Sequence, residues 1–141
     1  MKTLSVKQPW ASIIMSGRKE VEIRTWKTDY RGPLVIHAGK KIDREAMDFF
    51  MGRNPNWAKC KIIRDLEFPT GCILGKVKIE TIALVGQSEW GAWRELHCVP
   101  GQWPGGELYA WWLSNPGKLK HPIPHKGQLG LFNIDEAAFQ W

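Results

Sequence analysis

Apolar and polar positions along the chain switch between two periods. Thr3-Leu4-Ser5-Val6 alternates as a short strand and stops before Gln8-Pro9-Trp10, where the spacing changes. From Pro9 to Ser16, Trp10, Ile13 and Ile14 recur at three- and four-residue steps. This predicts one buried stripe on a short helix that Pro9 opens and Gly17 closes. Alternation then resumes, placing Val21 and Ile23 on one face and Glu20, Glu22 and Arg24 on the other. Taken alone, that pattern predicts an amphipathic antiparallel strand with a solvated charged face. Lys19, where the chain leaves the helix, is long enough to fold back over that face towards Glu22 and Arg24.

The turn-rich stretch Lys27-Thr28-Asp29-Tyr30-Arg31-Gly32-Pro33 predicts a reversal into Leu34-Val35-Ile36-His37-Ala38, so the two strands read as a hairpin. Gly39-Lys40-Lys41 reads as a basic loop. Asp43 is placed to cap a helix whose apolar face is Ala46, Phe49 and Phe50 and which ends near Gly52. Residues 53 to 70 are poorly patterned, with a break at Asn54-Pro55-Asn56 and a short helix expected from Trp57 to Leu66. Cys72 to Leu84 predicts a long strand with a bulge at Gly75. From Gln87 to Gly106, Trp90, Trp93 and Trp103 argue against disorder in a segment of loop and short helix. Leu108 to Leu113 reads as a strand, Asn115-Pro116-Gly117 as a turn, and Gln128 to Ile134 as the last strand. Five or six strands with two or three inserted or flanking helices make an α+β fold, a small mixed β-barrel. A chain of 141 residues has room for one core, so a single domain over 1–141 is expected.

Composition narrows the function classes. Twenty Lys and Arg against fourteen Asp and Glu leave a formal charge of +6, which favours polyanionic partners without specifying one. Three cysteines, at 60, 72 and 98, form no CxxC pair and support neither a disulfide framework nor a zinc knuckle. No apolar run reaches the roughly 18 residues of a membrane span, and the chain is expected to be soluble and cytoplasmic. Trp111 and Trp112 fall on opposite faces of their strand, so one of them should meet solvent, a helix or a ligand.

Several motifs together resemble one family. They are Leu4-Ser5, Gln8-Pro9-Trp10-Ala11, the G-x-K-x-x-E-x-R spacing of Gly17, Lys19, Glu22 and Arg24, then Trp26 and Arg31-Gly32-Pro33-Leu34. Gly71-Cys72-Ile73-Leu74-Gly75, Pro122-Ile123-Pro124, Gly127 and Gly130-Leu131-Phe132 complete the set. On these residues the chain resembles the activating signal cointegrator homology (ASCH) domain family along nearly its whole length. The resemblance implies a barrel like that of the pseudouridine-synthase-and-archaeosine-transglycosylase (PUA) superfamily. It also implies a cleft lined by the signature residues and a general expectation of RNA or nucleic-acid binding. Some small members resemble hydrolases: one subgroup deacetylates acetylcytidine, and another is ribonuclease-like. In the deacetylating subgroup the signature ends K-x-x-T-x-R, with Lys as base and Thr as nucleophile. Lys19 matches that base, but Glu22 stands at the nucleophile's position, where an acyl adduct would be an anhydride.

The leading expectation is therefore a nucleic-acid or nucleotide binding module, RNA before DNA. The family's link to a transcription cointegrator leaves duplex DNA open, and a small nucleoside is a further possible ligand. Cations for phosphates and flat side chains for bases interleave early in the chain. Arg24, Lys27, Arg31, Lys40 and Lys41 supply charge; Trp26, Tyr30 and His37 supply rings; Lys19 and Glu22 line the cleft; Gln8 and Trp10 form the opposite wall. The alternative is a small RNA-directed or modified-nucleoside hydrolase in which Lys19 and Glu22 are the acid-base pair. A third reading is a protein-interaction module exposing the Trp-rich segment from 87 to 106. His121 and His125 stand four apart without further ligands, and adjacent His97-Cys98 favours a buried thiol over a nucleophile. No metal and no cofactor are expected.

Overall fold

The computed structural model describes residues 1–52 and 63–139. Its strands are β1 (Lys2–Gln8), β2 (Val21–Arg24), β3 (Gly32–Ile42), β4 (Cys72–Val85), β5 (Leu108–Pro124) and β6 (Leu131–Asn133). Helices α1 (Trp10–Met15), α2 (Arg44–Met51), α3 (Gln87–Ala92) and α4 (Arg94–His97) lie between them. The strands form one six-stranded sheet in the order β2-β5-β4-β3-β1-β6. β1 runs parallel to β3 and every other ladder is antiparallel, so the sheet is mixed. It has two ends and is open among the described residues, a barrel-like sheet of the PUA type rather than a closed barrel.

The long β4/β5 ladder bends the sheet. Its register shifts between Ile73 and Gly75, between Lys76 and Lys78, and between Ile79 and Thr81. Each extra residue kinks a strand and increases its twist. At Gly75 a Cβ would meet Gly117 O at 2.3 Å and Met15 Cε at 2.8 Å, so a side chain there would force β5 and α1 away from β4. The expected bulge at Gly75 is present.

Other local expectations are met as well. Asp43 Oδ1 accepts the Ala46 amide at 3.1 Å and caps α2. Gly17, at φ 83°, ends the α1 segment in the left-handed region that glycine tolerates best. Trp111 is fully buried, and Trp112 packs edge-on against Trp93, with ring centroids 5.2 Å apart. The break and most of the helix expected from Asn54 to Leu66 lie outside the described residues; Ile63–Asp65 forms a 3-10 turn.

Three expectations need correction. β2 and β3 are not a hairpin: β2 pairs with β5, placing Glu22 opposite Trp111, while β3 lies between β4 and β1. Turn chemistry can reverse a chain without choosing its partner strand, and β5 offers the apolar ladder that β2 needs. Gly39-Lys40-Lys41 belongs to the end of β3 rather than to a loop. Asn115-Pro116-Gly117 does not end its strand either. Ser114 lies opposite Lys78 and Gly117 opposite Lys76, so Asn115 (φ 52°) and Pro116 form a bulge within β5.

The sheet buries apolar clusters that fix the functional elements. Leu4, Val6, Ile14, Leu34, Ile36 and Trp111 pack between α1 and the sheet. Val35, Ile73, Leu119, Phe132 and Ile134 form a second cluster. Val21, Val85, Trp90 and Ala110 seat α3 against β2, β4 and β5. Ile13, Ala46, Phe50, Ile63 and Cys98 tie α1 to α2 and to the end of α4.

Candidate functional site

The chain leaving α1 is held by three backbone hydrogen bonds before it becomes β2. Lys19 N donates to Ile13 O at 3.3 Å, Glu20 N to Leu96 O at 2.9 Å, and Leu113 N to Glu20 O at 2.8 Å. This clamp turns the Lys19 side chain inward, leaving it only 1% exposed. Its ammonium donates to the His97 carbonyl, lies 3.6 Å from Glu22 Oε1 and stands 4.7 Å from the centre of the Trp10 ring. Glu22, 7% exposed, faces Arg24 Nε through Oε2 at 3.1 Å, and the Arg24 guanidinium also donates to Ser5 O at 2.8 Å. Around Glu22 the charged face of β2 is therefore a largely buried ionic cluster, while Glu20 stays exposed. The solvated-face expectation fails for Glu22 because α1, α4 and β1 close over it, while the fold-back of Lys19 onto Glu22 is as the spacing predicts.

Burial pushes the Lys19 ammonium below the ordinary lysine range, and the Glu22 carboxylate opposes that shift.

These residues open onto a cleft of about 680 Å³, the size of an ordinary small-ligand site. Trp10, Lys19, Glu22, Arg24 and Trp26 line it, and Lys40 and Lys41 stand on its rim. Trp26 is braced by an edge-on contact with Trp111, centroids 4.9 Å apart, and accepts the Trp111 indole N–H at its carbonyl.

The other residues expected in the site are elsewhere. Gln8 is not a wall of the cleft: its amide donates to Ser12 Oγ and Pro69 O and accepts from Ser12 N, tying α1 to a distant loop. Tyr30 donates to Pro33 O, and Arg31 donates to Thr28 O and Tyr30 O, so both fold onto their own turn. His37 is buried, bonded to Ser5 Oγ and to His125 O at 2.7 Å each. Gln8 and His37 are consumed by the scaffold, whereas Tyr30 and Arg31 stay with their turn, Arg31 exposed. The cleft instead gains Ser5, Lys7, Trp90, Val99, Leu108 and the loop Gln128-Leu129-Gly130. For Ser5 and Lys7 the outward phase of β1 was a usable signal; the rest arrive from distant elements and carried none.

His97 links the cluster to α3. Its Nδ1 accepts the Val99 amide at 2.9 Å, so Nε2 donates to Trp90 O at 2.9 Å, and the ring stacks on Trp90. Burial first, then the Lys19 and Arg94 charges, lowers its pKa from 6.5 to about 4. The unfolded chain gains this proton near pH 6.5 and the folded chain only near pH 4, so stability falls as the pH drops through that window. A loss of about 2 kcal/mol by pH 5 is expected, read by urea unfolding across pH 7 to 5. His97→Gln, which keeps a hydrogen-bonding side chain that does not titrate, should remove most of that pH dependence.

Among the described residues, no three His, Cys, Asp or Glu side chains converge as a metal site, and no helix is long and apolar enough to cross a membrane. Cys98 is buried, with Sγ donating to Glu95 O at 3.3 Å and to Arg18 O at 3.5 Å.

Comparison with known proteins places this geometry. The chain is 40% identical over 144 residues to human Activating signal cointegrator 1 and 39% identical over 149 residues to the Mus musculus protein of that name. Each match covers 97% of this chain but only 23% of the relative, so the chain spans about a quarter of those proteins' length. The crystal structure of ASCH from Zymomonas mobilis superimposes with a TM-score of 0.66 at 14% identity, covering 96% of this chain and 88% of that one. A mutant form of the Zymomonas protein gives 0.65 at 15% identity, covering 96% and 90%. At such identity these structures speak for the fold. The ASCH domain family profile matches residues 4–123, which include all of the ionic cluster, and the chain belongs to the ASCH domain family.

Proposed function

We propose that this chain binds RNA and takes a single unpaired nucleotide into the cleft. The observation that carries the reading is the Glu22 carboxylate, held between Lys19 and Arg24 in a cleft whose lining includes the Trp10 and Trp26 indoles. Indole faces stack on a base of any identity. A fixed carboxylate accepts from exocyclic amines or ring N–H groups, and Arg24 donates to base or phosphate oxygens. Lys7, Lys40 and Lys41, exposed at the rim, suit the flanking phosphates. A cleft of about 680 Å³ suits an unstacked base, which RNA loops and bulges present and an intact duplex does not. Membership of a PUA-related family supports the same class of ligand.

The test is binding to single-stranded RNA, duplex RNA and duplex DNA at two salt concentrations, with product analysis of the same samples. Salt-sensitive binding that favours RNA with unpaired bases is expected. The double variant Lys40→Ala/Lys41→Ala should reduce the slope of log affinity against log salt by about 1.4, since each single-strand phosphate contact contributes roughly 0.7. Binding that is indifferent to salt, or equally tight on duplex DNA, would overturn the reading.

A second reading is favoured by one observation, the buried Lys19 ammonium 3.6 Å from Glu22. Such a pair can do acid-base work on a modified nucleoside or on the RNA backbone, with water rather than Glu22 as nucleophile. Products that disappear in Lys19→Met while affinity persists would move the assignment to a hydrolase.

A further inference from the structure

We propose that Leu129 is a wedge that enters a base stack and holds open the gap left by the nucleotide in the cleft. The inference rests on the RNA-binding reading and adds how a stacked nucleotide reaches the site. Leu129 is 99% exposed and lines the cleft; the other exposed large apolar side chains among the described residues, Met51 and Leu84, do not. A lone exposed leucine is ordinary on a protein surface. This one sits at the tip of a loop that is fixed at both ends.

On the entering side, His125 N donates to Gly71 O at 3.0 Å and His37 Nε2 donates to His125 O at 2.7 Å. Since Nε2 carries the proton in the neutral ring, Nδ1 accepts the Ser5 hydroxyl at 2.7 Å. Gly127 then lies so close to this pair that a Cβ would meet Ser5 Oγ at 2.6 Å and His37 Cε1 at 2.7 Å. On the leaving side, Gly130 adopts φ 66° and Leu131 pairs with Leu4 across the β1/β6 ladder. The tip is therefore presented by a braced frame, and little ordering remains to be done on binding.

Cations flank it. Lys7, Lys40 and Lys41 share the cleft with Leu129, so a nucleic acid drawn to those ammonium groups meets an apolar tip beside an opening lined with indole rings. Apolar side chains inserted at a base step unstack it, and a base leaving the stack needs a pocket. Here the tip and the pocket are adjacent.

The experiment uses two RNAs of the same sequence context, each with 2-aminopurine next to the target nucleotide. In one the target is stacked in a hairpin stem; in the other it is bulged and already unstacked. The wild-type protein should raise the fluorescence of the stem probe severalfold. Leu129→Ser should bind the stem about five- to tenfold more weakly, a change at the low end of stacking energies, and lose most of the fluorescence rise. It should lose much less on the bulge, where no base has to be unstacked, and Leu129→Phe should restore the stem signal. Because the side chain is fully exposed, both variants should melt with the wild type. If the wild type binds both RNAs and Leu129→Ser matches it, or loses equally on stem and bulge, the wedge is wrong and the RNA reading stands. If the wild type binds neither RNA, both fall.

Discussion

A Trp111→Ala protein is expected to lose about 4 kcal/mol of unfolding free energy, the usual range for truncating a buried large aromatic residue. Trp111 is fully buried, packs edge-on against Trp26 and donates its indole N–H to the Trp26 carbonyl. Alanine leaves a cavity between α1 and the sheet and frees the Trp26 carbonyl and ring together. Urea unfolding measures the first effect. RNA affinity measures the second, because Trp26 is then no longer braced where it lines the cleft. Trp111→Phe keeps an aromatic ring and should recover about half of the stability. A Trp111→Ala loss below about 1 kcal/mol, with unchanged RNA binding, would show that neither the cavity nor the brace matters.

Lys19→Ala should be nearly as severe, at about 3 kcal/mol. Removing one partner of a buried ion pair leaves the other charge uncompensated, commonly at 3–5 kcal/mol, and Arg24 still faces Glu22 at 3.1 Å, which argues for the low end. The His97 carbonyl loses its donor as well. A double-mutant cycle with Glu22→Gln separates the charge from the packing: if the pair is what matters, Glu22→Gln costs less in the Lys19→Ala background than alone. Strict additivity would mean that Lys19 is held by packing and the carbonyl, and that the ionic cluster is incidental to stability.

What could be read from the sequence divides by distance along the chain. α1, the Asp43 cap, the outward phase of Lys7 and the bulge at Gly75 are local, and the responsible residues lie within a turn of the feature they cause. The grouping of Lys19, Glu22 and Arg24 was legible for the same reason, since they fall within six consecutive residues, but its burial under distant elements was not. Pairing was not. β2 ends in turn chemistry that points to β3, yet the strand it joins is β5, far along the chain, where Ala110 and Trp112 present the ladder that Ile23 and Val21 need. The same distance hid Leu129, Trp90 and Val99 from the site. Gln8 and His37 misled in the opposite direction. A buried amide or imidazole that satisfies backbone carbonyls has the same letter as one that awaits a ligand, and only the partners distinguish them.

The position of β1 between β3 and β6 has a consequence for synthesis. Nearly all the charges of the cleft lie in the early part of the chain, but the parallel β1/β3 ladder and the β1/β6 ladder close loops of very different length. Pairings between distant segments form slowly, because loop-closure entropy must be overcome first. As the chain leaves the ribosome, Lys19, Glu22 and Arg24 emerge long before α4 supplies the carbonyl for Lys19, and before residues 125 to 131 supply the wall. The cleft should therefore assemble abruptly, with the docking of β6, so that a nascent chain still lacking residues 128 to 133 carries the signature without the assembled cleft.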